Sequence, residues 1–422
     1  LKILHIISQI PSLTGSGMYL QAIIQHAHTQ GHDNYLLAGV PAGFHYNDHC
    51  GHLPCETPEL VRFDDDLAFP VVGMSDVMPY ASTRFCDLSA DDIIKYLACF
   101  DTRLQQAVAR WQPDIIHSHH LWLVTSLARQ RFPHIPIVAS CHGSDLHQFN
   151  SCCHLQQQVL LGCSRVDAVC ALSREQKQQI MDGYQIAAER IHVVGVGFNS
   201  ALFYAPSVAT DKPNFIQIVY VGKLSRAKGV PWLLRAMQGL GRGGWHLHLV
   251  GDGSGAEKDE IISLANQLGQ SITMHGNVKP AKLAPLMQSC QLFILPSFFE
   301  GVPLVVMEAL ACGCRVITTN LPGVGEVFSG LNCDWLSLID TPVMTPDGLL
   351  HAADEERFVG AIKNEIIYQL DAIGATNGTE MPPPSVQTLL DEYDWQSTFR
   401  RIEEVYQWVA SSRETDTADI SS

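Results

Sequence analysis

Residues 292–319 read LFILPSFFEGVPLVVMEALACGCRVITT. LFILPS is a short apolar run ending at a breaker, the pattern of a buried strand. Pro303 suits the first turn of a helix that continues through Glu308 and Ala311. RVITT, rich in β-branched residues, then reads as a second strand. A strand, a helix and another strand in such quick succession make a crossover unit with parallel strands. Two carboxylates interrupt this apolar stretch, Glu300 in the loop at the sheet's carboxyl edge and Glu308 on the helix. At ~1.5 Å per residue, Glu308 stands ~7–8 Å along the helix from Pro303. A solvated loop charge and an unremarkable helix-face glutamate would account for the pair. A ligand lying across the helix start would also do so, with hydroxyls at the two carboxylates and a phosphate at the free N–H groups around Gly301, Val302, Pro303 and Leu304.

The same alternation extends in both directions. KILHII (2–7), a helix from about Met18 to Thr29, DNYLLAG (33–39), DIIHSH (114–119), IPIVASCH (135–142), AVCAL (168–172) and IHVVGVG (191–197) describe one doubly wound α/β domain. After the breaker-rich link 199–214 the plan restarts with QIVYVG (217–222), HLHLVG (246–251) and ITMHG (272–276) and leads into the opening stretch. The expected division is 1–203 for the first domain and 204–390 for the second. An amphipathic helix from about 389, assigned to the first domain over 391–410, closes the fold, and 411–422 is a tail. Residues 40–105 fit the alternation poorly and read as loops and short helices inserted into the first domain. Two such open sheets in tandem place ligands at the carboxyl ends of their strands, in a cleft between facing domains.

Whole-chain properties narrow the function. A length of 422 residues suggests two or more cores. The formal charge of −16 argues against broad nucleic-acid or anionic-lipid binding, which need excess lysine and arginine. The 13 cysteines are scattered through apolar segments and read as buried thiols in a reducing, cytoplasmic setting. No run is long and apolar enough to span a membrane, which leaves attachment to its inner face open. His45, His49, Cys50, His52 and Cys55 carry metal-ligating atoms without a C-x-x-C pair, so no metal site is expected.

Three further stretches carry chemistry. The loop TGSG (14–17) joins the first strand to its helix, where Gly15, Ser16 and Gly17 let the backbone approach an anion. Its spacing lacks the third glycine of a dinucleotide fingerprint, which argues against a dehydrogenase. VGKLSRAKG (221–229) follows a strand with Gly222, Lys223 and Lys228, two ammonium groups able to neutralise a diphosphate. They could equally be solvated loop lysines. PDIIHSHH and SCHGSDL place His117, His119 and His142 at first-domain strand ends. Alternation puts His117 and His119 on one face, so that one reaches an open edge and the other packs inward, with His119 ranked below His142.

Taken together, EGVPLVVME, VGKLSRAKG, the glycine loop, PDIIHSHH and SCHGSDL resemble the retaining GT-B glycosyltransferases of family 4 over most of residues 1–330 and the last helix. The resemblance implies two Rossmann-like domains with a C-terminal helix crossing back to the first. It implies transfer of a hexose from a nucleoside diphosphate sugar to an acceptor hydroxyl with retention, in bacterial surface polysaccharide or glycoconjugate synthesis, without cofactor or metal. Glu300 would meet the donor sugar, Glu308 the ribose, Lys223 and Lys228 the diphosphate, and His142 the sugar from the other side. Where this chain has Lys223 the family more often has arginine. His275, Asn277 and Val278 are expected near the base, with uracil favoured over guanine. The acceptor is expected to be a carbohydrate or lipid-linked molecule. An epimerase or phosphorylase of the same fold, or a non-catalytic nucleotide-sugar binder, stays as the alternative.

Overall fold

The computed structural model describes residues 1–206, 215–241, 243–299, 302–328, 330–331, 333–345, 350–376, 378 and 380–420. They form two compact units, Leu1–Gly197 with Trp395–Ser422, and Phe198–Asp394.

In the first unit the strands are β1 (Lys2–Ile7), β2 (Asp33–Pro41), β3 (Glu59–Phe63), β4 (Val72–Gly73), β5 (Thr83–Arg84), β6 (Ile115–His119), β7 (Ile137–Ser140), β8 (Ala168–Ala171) and β9 (Ile191–Val193). Seven of them make one parallel sheet in the order β3-β2-β1-β6-β7-β8-β9, and β4 pairs with β5 alone. β1 is buried along nearly its whole length, as expected of a parallel strand covered on both faces. On one face Leu4, Ile6 and Ile116 pack with Tyr96, Phe100 and Trp111 of the helix Ala90–Trp111. On the other, Ile3, Ile115 and Val138 lie with Tyr19 and Ile23 of the helix Gly15–Thr29 and with Phe399, Ile402 and Tyr406 of the last helix. The region 40–105 is therefore more regular than its pattern suggests. ELVRF adds an edge strand, and a 22-residue helix starts at a Ser89–Asp92 capping box.

The second unit holds β10 (Ile216–Val221), β11 (Trp245–Val250), β12 (Ile272–Gly276), β13 (Leu292–Leu295), β14 (Arg315–Thr319) and β15 (Leu336–Ile339), ordered β12-β11-β10-β13-β14-β15 and parallel throughout. The opening stretch is β13, the helix Leu304–Ala311 and β14, with Leu292 in register with Arg315. Pro303 caps that helix from outside and does not sit in its first turn.

Two further details differ from the sequence expectation. The segment read as one terminal helix is two, Pro384–Glu392 and Trp395–Ile420, the second running on through the stretch read as tail. The chain changes units at the break, where the Phe198 amide donates to the Tyr393 carbonyl at 3.0 Å. The last helix is tied to the first unit by Thr398 Oγ1 and Arg401 Nε, which donate to the carbonyls of Val196 at 3.0 Å and Val194 at 2.7 Å. A side chain on Gly197 would run into the Trp395 ring, which explains the glycine there. The second difference concerns sulfur. Cys86 and Cys152 form a disulfide, so the reading of every cysteine as a free thiol is corrected for this pair. Among the described residues no helix is long and apolar enough to cross a membrane.

Candidate functional site

Both large sheets reverse their strand order at one place, between β1 and β6 in the first unit and between β10 and β13 in the second. Loops leaving the carboxyl ends of two such neighbours run in opposite directions and leave a crevice, the usual ligand site of an open parallel sheet.

In the second unit the β10 and β13 loops are zipped together. The Phe298 amide donates to the Ala227 carbonyl at 2.9 Å, and Lys228 Nζ donates to the Phe299 carbonyl at 3.4 Å. Gly229 has φ of +73°, and a Cβ there would lie 1.9 Å from the Pro296 oxygen, so only glycine permits this approach. Tyr220 donates its hydroxyl to the Lys223 carbonyl at 2.7 Å and fills the space beside Gly222. Lys223 is exposed and Lys228 half-buried, both in the loop that opens the crevice. Arg226, the third cation of the loop, is held by Glu260 at 2.7 Å. Val302, Pro303 and Leu304 lead into the facing helix, and Glu308 lies half-buried on it. Burial raises the Glu308 carboxyl to about 7, so near neutrality it is poised between its protonated and ionised forms. Glu300 and Gly301 lie outside the described residues.

The β11 loop also joins the site, which the sequence reading missed. Gly251 has φ of +129° and would place a Cβ 1.9 Å from the Gly222 oxygen, and one on Gly253 would lie 2.4 Å from the Leu224 oxygen. The signal was the run GDGSG after a predicted strand. Asn277 and Val278 do occupy the loop after β12, but His275 does not. It is the penultimate residue of the strand, and its ring turns to His248, 2.9 Å away.

In the first unit the corresponding crevice is lined by histidines. Thr14 caps the helix Gly15–Thr29 by accepting from the Gly17 amide at 3.1 Å. Gly17 is obligatory, because a Cβ would approach the Ser12 nitrogen to 2.7 Å. His142 follows β7, with its ring 4.8 Å from that of Tyr19 and 5.1 Å from that of His120. Its Nε2 is buried and has no hydrogen-bond partner among the described residues. Burial, with His120 nearby, lowers its pKa to about 3, so the ring is neutral. Asp145 is fully buried and accepts from the amides of Leu121 and His142, the latter at 2.8 Å. One carboxylate thereby fixes the loops after both β6 and β7.

His117 and His119 share a face as expected, but neither reaches an open edge. Both are buried with His5, His117 bonding Tyr406 at 2.6 Å and Ser140 at 2.8 Å. These three are the described residues whose ligand atoms approach to metal-binding range; the 45–55 cluster is not such a group among the described residues. Cys55 there contacts the Tyr46 hydroxyl at 2.9 Å. The histidine that does face the crevice is His120, turned by φ of +107° just beyond the strand.

Comparison with known proteins agrees with this architecture. Residues 13–202 match Glycosyltransferase Family 4, and residues 216–364 match Glycosyl transferases group 1. The chain is 23% identical over 345 residues to the glycogen synthase of Mycobacterium tuberculosis, covering 76% of this chain and 78% of that one. It is 28% identical over 313 residues to the D-inositol 3-phosphate glycosyltransferase of Rhodococcus opacus, covering 64% and 69%. Among solved structures, the sucrose-phosphate synthase of Thermosynechococcus elongatus superposes with a TM-score of 0.68 at 17% identity, covering 98% of this chain and 100% of that one. HepE of Anabaena, solved with UDP and glucose, superposes with a TM-score of 0.64 at 19% identity, covering 96% and 99%.

Proposed function

From the premise that the chain is a glycosyltransferase of the GT-B fold, we propose that it moves a hexose from a nucleoside diphosphate sugar, a uridine diphosphate sugar before a guanosine one, to an acceptor hydroxyl with retention of configuration. The acceptor belongs to bacterial surface polysaccharide or glycoconjugate synthesis, and the reaction needs no cofactor. The observation that carries the donor assignment is the zipped pair of loops at the second unit's switch point. On this reading Lys223, Lys228 and the start of the helix Leu304–Ala311 are partners for an anion and the half-buried Glu308 is partner for a sugar hydroxyl, and the contacts that join the two loops support it.

The chemistry follows from where charge develops. As the bond between the anomeric carbon and the diphosphate breaks, negative charge grows on the leaving oxygens, and Lys223, Lys228 and the free amides of Leu304 and Val305 at the helix start stabilise it more than they stabilise the ground state. The departing phosphate takes the acceptor's proton. Glu308 accepts hydrogen bonds from the ribose as its ionised form, and Glu300 contacts the sugar. The structures solved with UDP, UDP-glucose or UDP and glucose are of a fold relative and lend the uridine preference its support. Thermal-shift screening against uridine, guanosine and adenosine diphosphate sugars identifies the donor, since a bound ligand raises stability with the logarithm of its excess over Kd. Glu300→Ala then abolishes transfer from that donor with the fold retained; full activity in this variant would refute the assignment.

A further inference from the structure

The first unit contains a hydrogen-bonded chain that runs from the start of the helix Gly15–Thr29 to the loop after β7. Ser16 Oγ lies 3.1 Å from His120 Nε2, and His120 Nδ1 lies 3.4 Å from Asp145 Oδ2. All three are buried, with relative exposures of 8%, 3% and 0%. Ser16 Oγ has two other neighbours, Gln9 Nε2 and Thr14 Oγ1, the latter at 3.3 Å. The Met74 amide donates to Gln9 Oε1 at 3.0 Å, which fixes the Gln9 amide so that its Nε2 donates to Ser16 Oγ at 3.0 Å. Ser16 therefore cannot donate to Gln9. At the other end Asp145 already accepts two backbone amides. Burial alone would raise its carboxyl, yet the neighbouring His120 and the hydrogen bond from the His142 amide hold it below the usual range. An ionised Asp145 draws the His120 proton to Nδ1 and leaves the Nε2 lone pair for the serine hydroxyl.

We propose that Ser16, His120 and Asp145 form an activated-serine site whose substrates are acyl esters. The order serine, histidine, carboxylate is the arrangement that makes a hydroxyl nucleophilic at neutral pH. The amides of Gly15 and Ser16 begin a 15-residue helix, where no preceding turn supplies carbonyl partners, and they would receive the oxyanion. Space beside Gly15 is open, as a Cβ there would meet nothing within 4 Å. The loop is flanked by two exposed apolar side chains, Leu13 at 54% and Met18 at 50%, which suit the hydrocarbon part of an acyl group.

In the reaction Ser16 Oγ bonds to the acyl carbon while its proton passes to His120 Nε2. The ester C–O bond breaks, and the leaving alcohol takes that proton from His120. Water repeats the sequence, releasing the carboxylic acid and returning the serine hydroxyl. The test uses a fluorophosphonate probe on the full chain, with the modified residue located by peptide mass spectrometry, a readout independent of glycosyl transfer. The site predicts labelling of Ser16 in the native protein, none at that peptide in Ser16→Ala, and labelling on the order of 100-fold slower in His120→Gln. Loss of Ser16 labelling on denaturing the wild type gives the same answer without relying on a variant that folds. An unlabelled Ser16 in the native protein, labelling that survives denaturation, or an undiminished rate in a folded His120→Gln variant would overturn it.

Discussion

The two switch points share one topology and differ in chemistry. In the first unit the crevice between β1 and β6 is buried and built around one carboxylate, Asp145, which receives two amides and faces His120. In the second the loops after β10, β11 and β13 are held by close backbone approaches at Gly229 and Gly251 and carry lysines. Strand order locates a crevice, whereas the loop residues decide what enters it. A neutral, desolvated His142 suits hydroxyl groups; an exposed lysine and a half-buried one suit a polyanion.

Four substitutions sharpen or break this contrast. The largest effect is expected for Asp145→Ala, which strands the Leu121 and His142 amides and the His120 ring in a buried site. A loss of about 3–5 kcal/mol in denaturant unfolding is expected, and a change below about 1 kcal/mol would show that the carboxylate does not organise the first crevice. Lys228→Ala leaves stability nearly unchanged but lowers kcat/KM for transfer by about 10²–10³-fold, read in steady-state kinetics. Equal rates in the variant would remove Lys228 from the anion site. Gly229→Ala forces a Cβ against the Pro296 carbonyl at a positive φ. It is expected to lower unfolding free energy by about 2–3 kcal/mol and weaken donor binding as well. The smallest effect concerns Glu308. Its folded pKa, about 7, exceeds its ordinary 4.5, so the folded state holds the proton more tightly and this group's contribution to stability falls as pH rises from about 4.5 through about 7. Glu308→Gln therefore gains about 1–3 kcal/mol over wild type above pH 7 and little near pH 4.5; a pH-independent difference would contradict the burial argument.

What could be read beforehand follows from how local each feature is. The parallel sheets were legible because fully buried strands carry continuous β-branched runs, and the loop Gly222–Lys228 because glycine and lysines stand out beside a strand end, whereas Gly15–Gly17, read as a loop, is the first turn of the helix Gly15–Thr29. Glu308 was legible as a residue but not as a titrating group, since its raised pKa comes from packing. His117 and His119 were placed correctly on a common face, yet what buries them includes Tyr406, 289 residues away from His117. His120 stood beside His117 and His119 as a candidate without a role of its own, because its placement depends on a positive φ that no residue type at that position announces. The single terminal helix is divided by a break at Tyr393–Asp394, where the chain returns to the first unit.

The central claim is that the second unit's switch point grips a diphosphate through Lys223 and Lys228. Calorimetric titration of UDP and of uridine against the full chain and against the double variant Lys223→Ala/Lys228→Ala tests it directly. The account predicts that the double variant loses UDP affinity by on the order of 100-fold while uridine, which lacks the phosphates, binds both proteins alike. UDP binding that survives the double substitution, or a loss that is equal for uridine, would contradict it.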